Sequence, residues 1–151
     1  MATRKFSSSA IAAGYRSGLE EKVGAQLQSA GIEAEYEPFK ISYEVPATQH
    51  KYTPDYVLPN GIIIETKGRF VIEDRKKHVL IKAQYPGLDI RFVFSNSNAK
   101  LRKGSKTTYA DWCSKHGFDF ADKMVPDNWI NESTRRTSLK IIKSIRTLNA
   151  A

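Results

Sequence analysis

The run Thr53-Pro54-Asp55-Tyr56-Val57-Leu58-Pro59-Asn60-Gly61-Ile62-Ile63-Ile64-Glu65-Thr66-Lys67 carries two carboxylates and an ammonium that a tight hairpin would bring together. Pro59 and Asn60 suit the central positions of a type I turn, and Gly61 suits the left-handed residue that closes a three-residue loop. Such a loop pairs Leu58 with Ile62, sets Asp55 opposite Glu65 and Thr53 opposite Lys67, and leaves Glu65 and Lys67 on one face of their strand. Two carboxylates with Cβ atoms about 5 Å apart repel each other unless something positive lies between them. A divalent cation answers that need, with the Lys67 ammonium beside it. Metal ions lower the pKa of bound water and bridge attacking and leaving oxygens, which is what breaking a phosphodiester requires. An all-oxygen donor set suits Mg²⁺, with Mn²⁺ able to substitute. Asp55, Glu65 and the backbone carbonyl of Thr66 are the expected ligands. Lys67 is expected to hold the nucleophilic water or the scissile phosphate. The bland alternative is an edge hairpin with solubilising side chains. Ile62-Ile63-Ile64 argues against it, because it marks the second strand as central and buried.

The flanking pattern predicts the elements that position this hairpin. A helix is expected from Ser17 to Ala30, with Leu19, Val23, Leu27 and Ala30 as its apolar stripe and Gly31 as a left-handed stop. β-prone stretches follow at Ile32–Glu37 and Phe39–Val45, separated by Pro38, and Pro46–His50 reads as a polar connector. After Gly68 a helix is expected to begin with Glu73 and Asp74 in its first turn and to end before Pro86. Its inner face would be Val79, Leu80 and Ala83, with Arg75, His78 and Lys82 on an outer stripe. Asp89–Ser95 is a strand, residues 96–107 a basic loop, Thr108–His116 a short helix and Phe118–Trp129 mostly irregular. Leu139, Ile142, Ile145 and Leu148 recur near helical spacing, with Arg136, Lys140, Lys143 and Arg146 between them. Both a basic amphipathic helix and a frayed tail are compatible with that. The resulting expectation is an α/β domain with a mixed sheet over residues 16–130, a flexible segment over 1–15 and a basic tail over 131–151.

The chain has 151 residues, enough for one domain with a real core and too few for two. No apolar stretch approaches the roughly 20 residues of a membrane span, and residues 1–10 lack the apolar core of a signal peptide. The single cysteine, Cys113, excludes an intramolecular disulfide and a Cys-rich zinc site, and is expected as a reduced thiol packed on a helix. These features point to the cytoplasm. The net charge of +8 is uneven: residues 17–68 carry −4, whereas residues 69–106 carry +7. An acidic centre between basic flanks suits a polyanion such as DNA, with a metal neutralising the centre.

Glu20 has two readings. Ser17-Gly18-Leu19-Glu20 fits a capping box, with Glu20 reaching back to the Ser17 amide; a catalytic carboxylate is the other. His78, beside Arg75 and Lys82, is expected to contact phosphate, whereas His50 and His116 fit ordinary positions. Trp112 and Trp129 read as core or interface anchors.

Pro54-Asp55 followed by Glu65-Thr66-Lys67 is the signature of the PD-(D/E)xK nuclease superfamily. The match extends to Tyr15-Arg16-Ser17-Gly18-Leu19-Glu20, Tyr52-Thr53-Pro54-Asp55, Leu58-Pro59-Asn60-Gly61-Ile62, Glu65-Thr66-Lys67-Gly68, Asp74-Arg75-Lys76-Lys77-His78, and Lys115-His116-Gly117 with Phe120-Ala121-Asp122-Lys123. Over residues 12–130 the chain resembles the bacteriophage endonuclease I family, the Holliday-junction resolvases. That resemblance implies a restriction-endonuclease-like sheet and an intertwined homodimer that cuts branched DNA, above all four-way junctions. It also implies Mg²⁺-dependent hydrolysis with paired cuts leaving 5′-phosphates, in the host-cell cytoplasm. The protomers would exchange elements through a bridge near Val45 to His50, so that Glu20 of one chain joins Asp55, Glu65 and Lys67 of the other as the catalytic set. Arg16, Arg75, Lys76, His78, Lys82, Lys100, Arg102, Lys103 and Lys106 are the expected DNA contacts. A restriction-like or nicking enzyme acting on ordinary duplex, or a catalytically silent DNA-binding protein, are the competing expectations.

Overall fold

The computed structural model describes residues 18–45 and 48–150. The expectations for residues 1–15, for Arg16 and Ser17, and for Pro46-Ala47 in the bridge fall outside those residues. Helix α1 spans Gly18–Ser29 and stops at Gly31, whose φ of 69° is the left-handed stop that glycine supplies without a Cβ clash. Strands β1 (Glu35–Tyr36) and β2 (Ile41–Val45) are shorter than the β-prone stretches that contain them. Then come β3 (Thr48–Tyr52), β4 (Tyr56–Val57), β5 (Ile62–Lys67), α2 (Ile72–Gln84) and β6 (Asp89–Phe94). Helix α3 (Tyr109–His116), β7 (Phe120–Asp122), α4 (Asp127–Ile130) and α5 (Arg136–Ala150) complete the described residues.

The mixed α/β expectation is met by a five-stranded sheet in the order β1-β4-β5-β6-β7. β1, β4 and β5 run antiparallel, whereas β5, β6 and β7 run parallel, with α2 as the crossover between β5 and β6. β5 is the central strand and all six of its residues are buried. Period-2 alternation divides its isoleucines between two cores. Ile62 and Ile64 face Val23 and Leu27 of α1 together with Trp129. Ile63 faces the other layer, with Phe92 and Phe94 of β6, Ile81 of α2, Trp112 of α3, and Ile142 and Ile145 of α5. Helices therefore cover both faces of the sheet.

Three local expectations are corrected and one open alternative is decided. Residues 48–50 are strand rather than connector: β3 pairs back on β2 from Val45↔Thr48 to Ile41↔Tyr52, because backbone pairing holds a stretch whose polar side chains stay exposed. The inner face of α2 is His78 and Ile81, with Val79 and Ala83 exposed. The phase was misjudged because the imidazole was treated as polar, whereas aromatic edges from Tyr52, Phe92 and Phe118 bury it. Residues 118–129 contain β7 and α4, each too short to leave a periodic signal. Residues 136–150 form a helix docked on the core, with Ser138, Ile142 and Ile145 buried.

Helix α5 is seated on the site hairpin. The Arg135 amide donates to Asn60 O at 2.7 Å, and Ser138 Oγ donates to Gly61 O at 2.7 Å. Its far end reaches the β1–β2 connection: Arg146 pairs with Glu35 and lies over the Phe39 ring, and the Asn149 side-chain amide hydrogen-bonds both backbone groups of Lys40.

Candidate active site

The predicted hairpin register is observed beside the turn, but strand pairing ends before Thr53 comes opposite Lys67. Tyr56 pairs with Ile64 and Val57 with Ile63, Leu58 N–H donates to Ile62 O at 2.8 Å, and Gly61 adopts φ 92°. Pairing stops at Tyr56, so Thr66 N–H has no strand partner beyond it. It donates instead to Asp55 Oδ2 at 2.9 Å, and Thr66 Oγ1 donates to the same oxygen at 2.8 Å. A side chain thus completes the backbone pairing where the ladder ends. N–H and C=O of one strand residue lie on the same side, so the Thr66 carbonyl also faces the Asp55 side. Lys67 O is turned to β6, where Ser95 N–H donates to it.

Glu20, Asp55 and Glu65 are 2%, 2% and 3% exposed, and Lys67 is 8% exposed. Asp55 N–H approaches Glu65 Oε2 at 3.4 Å, and the Tyr52 hydroxyl donates to that same oxygen. Lys67 Nζ lies 4.0 Å from Glu65 Oε1 and 3.3 Å from Asp74 Oδ1, and Lys77 Nζ lies 3.9 Å from Asp74 Oδ1. Glu20 comes from the first turn of α1. Its Oε2 accepts from the Tyr36 hydroxyl and its backbone carbonyl from the Tyr56 hydroxyl at 2.8 Å. Glu20, Glu37 and Asp55 each present a carboxylate oxygen within 4.8 Å of the others, a spacing able to hold a metal ion. Within this single chain, Glu20 stands beside Asp55 of the same chain.

The electrostatics favour an added cation. Burial, reinforced by the charge of Asp55, pushes the Glu65 carboxyl up to about 8 despite Lys67 and the Tyr52 hydrogen bond. Burial and the nearby Glu20 raise Asp55, against the two Thr66 hydrogen bonds that favour its charge. Burial, then the charge on Lys67, lowers Lys77. Only oxygen donors meet here, and desolvated carboxylates stay ionised together when a hard cation shares them. The residues fit Mg²⁺ or Mn²⁺ on that ground.

Sequence reasoning brought Asp55, Glu65 and Lys67 together and offered Glu20 with two readings. Four contributors were missed. Glu37 sits in a left-handed backbone conformation (φ 46°) just before Pro38, and only the acidic alternation of Ile32–Glu37 hinted at it. Tyr36 and Tyr52 carried no site signal of their own. Asp74, read as a dipole-complementing acid, holds Lys67. Of the expected DNA contacts, Lys76, Lys100, Arg102, Lys103 and Lys106 are exposed. Arg69, Lys100, Arg102 and Lys103 line a recess of about 500 Å³ with Phe70, Val71, Leu101 and Tyr109. Arg75 turns its guanidinium inward, donating to Phe70 O at 3.2 Å and Leu101 O at 3.5 Å, which ties that loop to α2. Lys82 donates to Gly117 O at 2.9 Å and lies 4.6 Å over the Phe118 ring. His78 is fully buried, so it offers nothing to a phosphate, and that expectation is withdrawn. Trp112, Trp129 and Cys113 are buried as expected, and burial raises the Cys113 thiol to about 12.

A mixed sheet flanked by helices, with buried carboxylates and a lysine at the end of its central strand, agrees in class with the motif resemblance. The profile of the phage endonuclease I family matches residues 1–149, and the chain belongs to that family. It is 54% identical over 129 residues to the endonuclease I of Escherichia phage T7, covering 85% of this chain and 87% of the relative. It is 52% identical over 130 residues to endodeoxyribonuclease 1 of Enterobacteria phage T3, covering 86% of each. Among the described residues, no helix is long and apolar enough to cross a membrane.

Proposed function

We propose that the chain is a structure-selective endodeoxyribonuclease with a restriction-endonuclease-like sheet, acting as a homodimer on four-way and other branched DNA. The observation that carries this is the convergence of Glu20, Asp55, Glu65 and Lys67, all buried, at the end of β5 in a member of the phage endonuclease I family. Asp55 and Glu65, with the Thr66 carbonyl on the same side, would hold Mg²⁺, and Glu20 and Glu37 stand close enough to Asp55 to contribute. When bound there, the ion lowers the pKa of water and offsets the charge gathering on the phosphoryl oxygens. Lys67, steadied by Asp74, donates hydrogen bonds to the attacking water or the scissile phosphate. The exposed cations of residues 100–106 draw DNA phosphates towards the site, which suits recognition by branch shape with little base readout. Hydrolysis leaves a 5′-phosphate.

The way the chain divides is compatible with a dimer. Residues 18–45 carry Glu20, and residues 48–150 carry Asp55, Glu65 and Lys67. If the β2–β3 hairpin opens into an extended bridge, each site is made of two chains. A two-fold dimer then offers two sites to a substrate of approximate two-fold symmetry, and paired cuts result. The test is cleavage of an immobile four-way junction against linear duplex of the same sequence, with Mg²⁺ and then with EDTA. The expected result is fast paired cleavage of the junction, slow cleavage of duplex and none with EDTA. Equal rates on both substrates defeat junction selectivity. Absence of cutting in Mg²⁺ and in Mn²⁺ defeats the nuclease reading.

A further inference from the structure

We propose that the Tyr52 hydroxyl is the positioning group for Glu65, a role that rests on the site reading above. Glu65 has two equivalent oxygens until something distinguishes them. Here Oε2 is taken by the Tyr52 hydroxyl and approached by Asp55 N–H, which leaves Oε1 as the oxygen facing Lys67 Nζ at 4.0 Å. The carboxylate is thereby turned before any ligand arrives, with one oxygen engaged by the chain and the other presented.

The donor is itself packed in place. Tyr52 is 2% exposed and pairs with Ile41 at the base of the β2–β3 hairpin. Its ring meets the His78 ring edge-on at 5.2 Å, and Lys77 Nζ lies 5.6 Å from its centroid. The other part of the chain repeats the device, with Tyr36 donating to Glu20 Oε2. Tyr52 lies after residues 46–47 and Tyr36 before them. Each carboxylate therefore keeps its own tyrosine whichever chain completes the site. Hydrogen-bonded partners of ligating carboxylates fix ligand orientation, and their loss commonly lowers metal affinity or activity by about 10–100-fold.

Tyr52→Phe in the full chain is the test, because it keeps the ring and removes only the donor. Four quantities are measured: the thermal midpoint, junction affinity in EDTA, Mn²⁺ affinity by calorimetry without DNA, and single-turnover cleavage across a Mg²⁺ series. The expected result is an unchanged fold and junction affinity, Mn²⁺ binding weaker by about 10–100-fold, and slow cleavage that recovers in part at high Mg²⁺. Wild-type Mn²⁺ affinity and cleavage in Tyr52→Phe overturn the proposal, as does a loss that merely follows the unfolded fraction. Glu65→Gln is run beside it. If Glu65→Gln still binds Mn²⁺ and cuts, the site reading has failed; if it is inert while Tyr52→Phe is wild type, only the positioning role has failed.

Discussion

Three carboxylates buried at one end of a sheet would repel each other, yet each has an oxygen engaged by a fixed donor: Tyr36 on Glu20, Thr66 on Asp55, Tyr52 on Glu65. His78, which packs against Tyr52, has no such partner. Among the described residues neither ring nitrogen finds a hydrogen bond. Burial first, then the charges of Lys67 and Lys77, holds it well below its ordinary value, so it is neutral in the folded chain. The unfolded chain takes up that proton near pH 6.5 while the folded chain does not. The contribution of neutral His78 is therefore whole above about pH 6.5 and is lost as pH falls below it. In urea unfolding, wild type should lose up to about 1.4 kcal/mol more per pH unit below 6.5 than His78→Leu. At pH 8 the leucine variant should match or exceed wild type, since an unsatisfied buried donor is removed. Parallel pH slopes for the two proteins would contradict a neutral buried imidazole. The difference between His78 and Asp55 shows what residue types reveal. Asp55 and Glu65 could be paired because a turn fixes their register, whereas the burial of His78 depends on rings from β3, β6 and residue 118 that no local pattern discloses.

At the level of elements, the site hairpin was legible because Pro59, Asn60 and Gly61 each have a definite backbone preference and the isoleucine run fixes which strand is central. The docking of α5 on that hairpin was not legible, because its apolar spacing equally permits a loose tail and its partners lie far away in sequence. The dock makes Gly61 carry two demands. Its φ of 92° is left-handed, and a Cβ there would meet Leu139 Cγ at 2.9 Å and Arg135 O at 3.0 Å. Gly31 is also left-handed, at φ 69°, but has open space around it. Gly31→Ala should thus lose only backbone preference, about 1 kcal/mol, whereas Gly61→Ala should lose about 2 kcal/mol or more as α5 is pushed from its seat. Urea midpoints compare the two directly, and equal losses would mean that α5 yields without penalty. The edge pieces β7 and α4 escaped notice for a simpler reason: three- and four-residue elements hold too few residues for a period.

Across the whole molecule, charge segregation was visible from the sequence and its placement is visible in the fold. Glu20, Asp55 and Glu65 are buried by the end of β5, and residues 100–106 carry an exposed basic margin. Shared sites make a sharp prediction for mixed chains. Glu20→Ala and Glu65→Gln, each inert alone, should on co-folding give a species with one intact site, seen as single-strand nicking of a junction without the paired cut. A completely inert mixture would mean that each chain builds its site alone.

Helix α5 bears on this in another way. It starts on Asn60 and Gly61, after residues 46–47, and ends on Glu35, Phe39 and Lys40, before them. Were the two portions to trade places between chains, opening the β2–β3 hairpin would not suffice; the grip of Asn149 and Arg146 would have to let go as well. Interconversion between a self-contained chain and an interlocked pair then requires partial unfolding, which is slow compared with local motion. The assembly state would be recorded at folding, with dilute and concentrated refolding giving populations that persist after their concentrations are equalised.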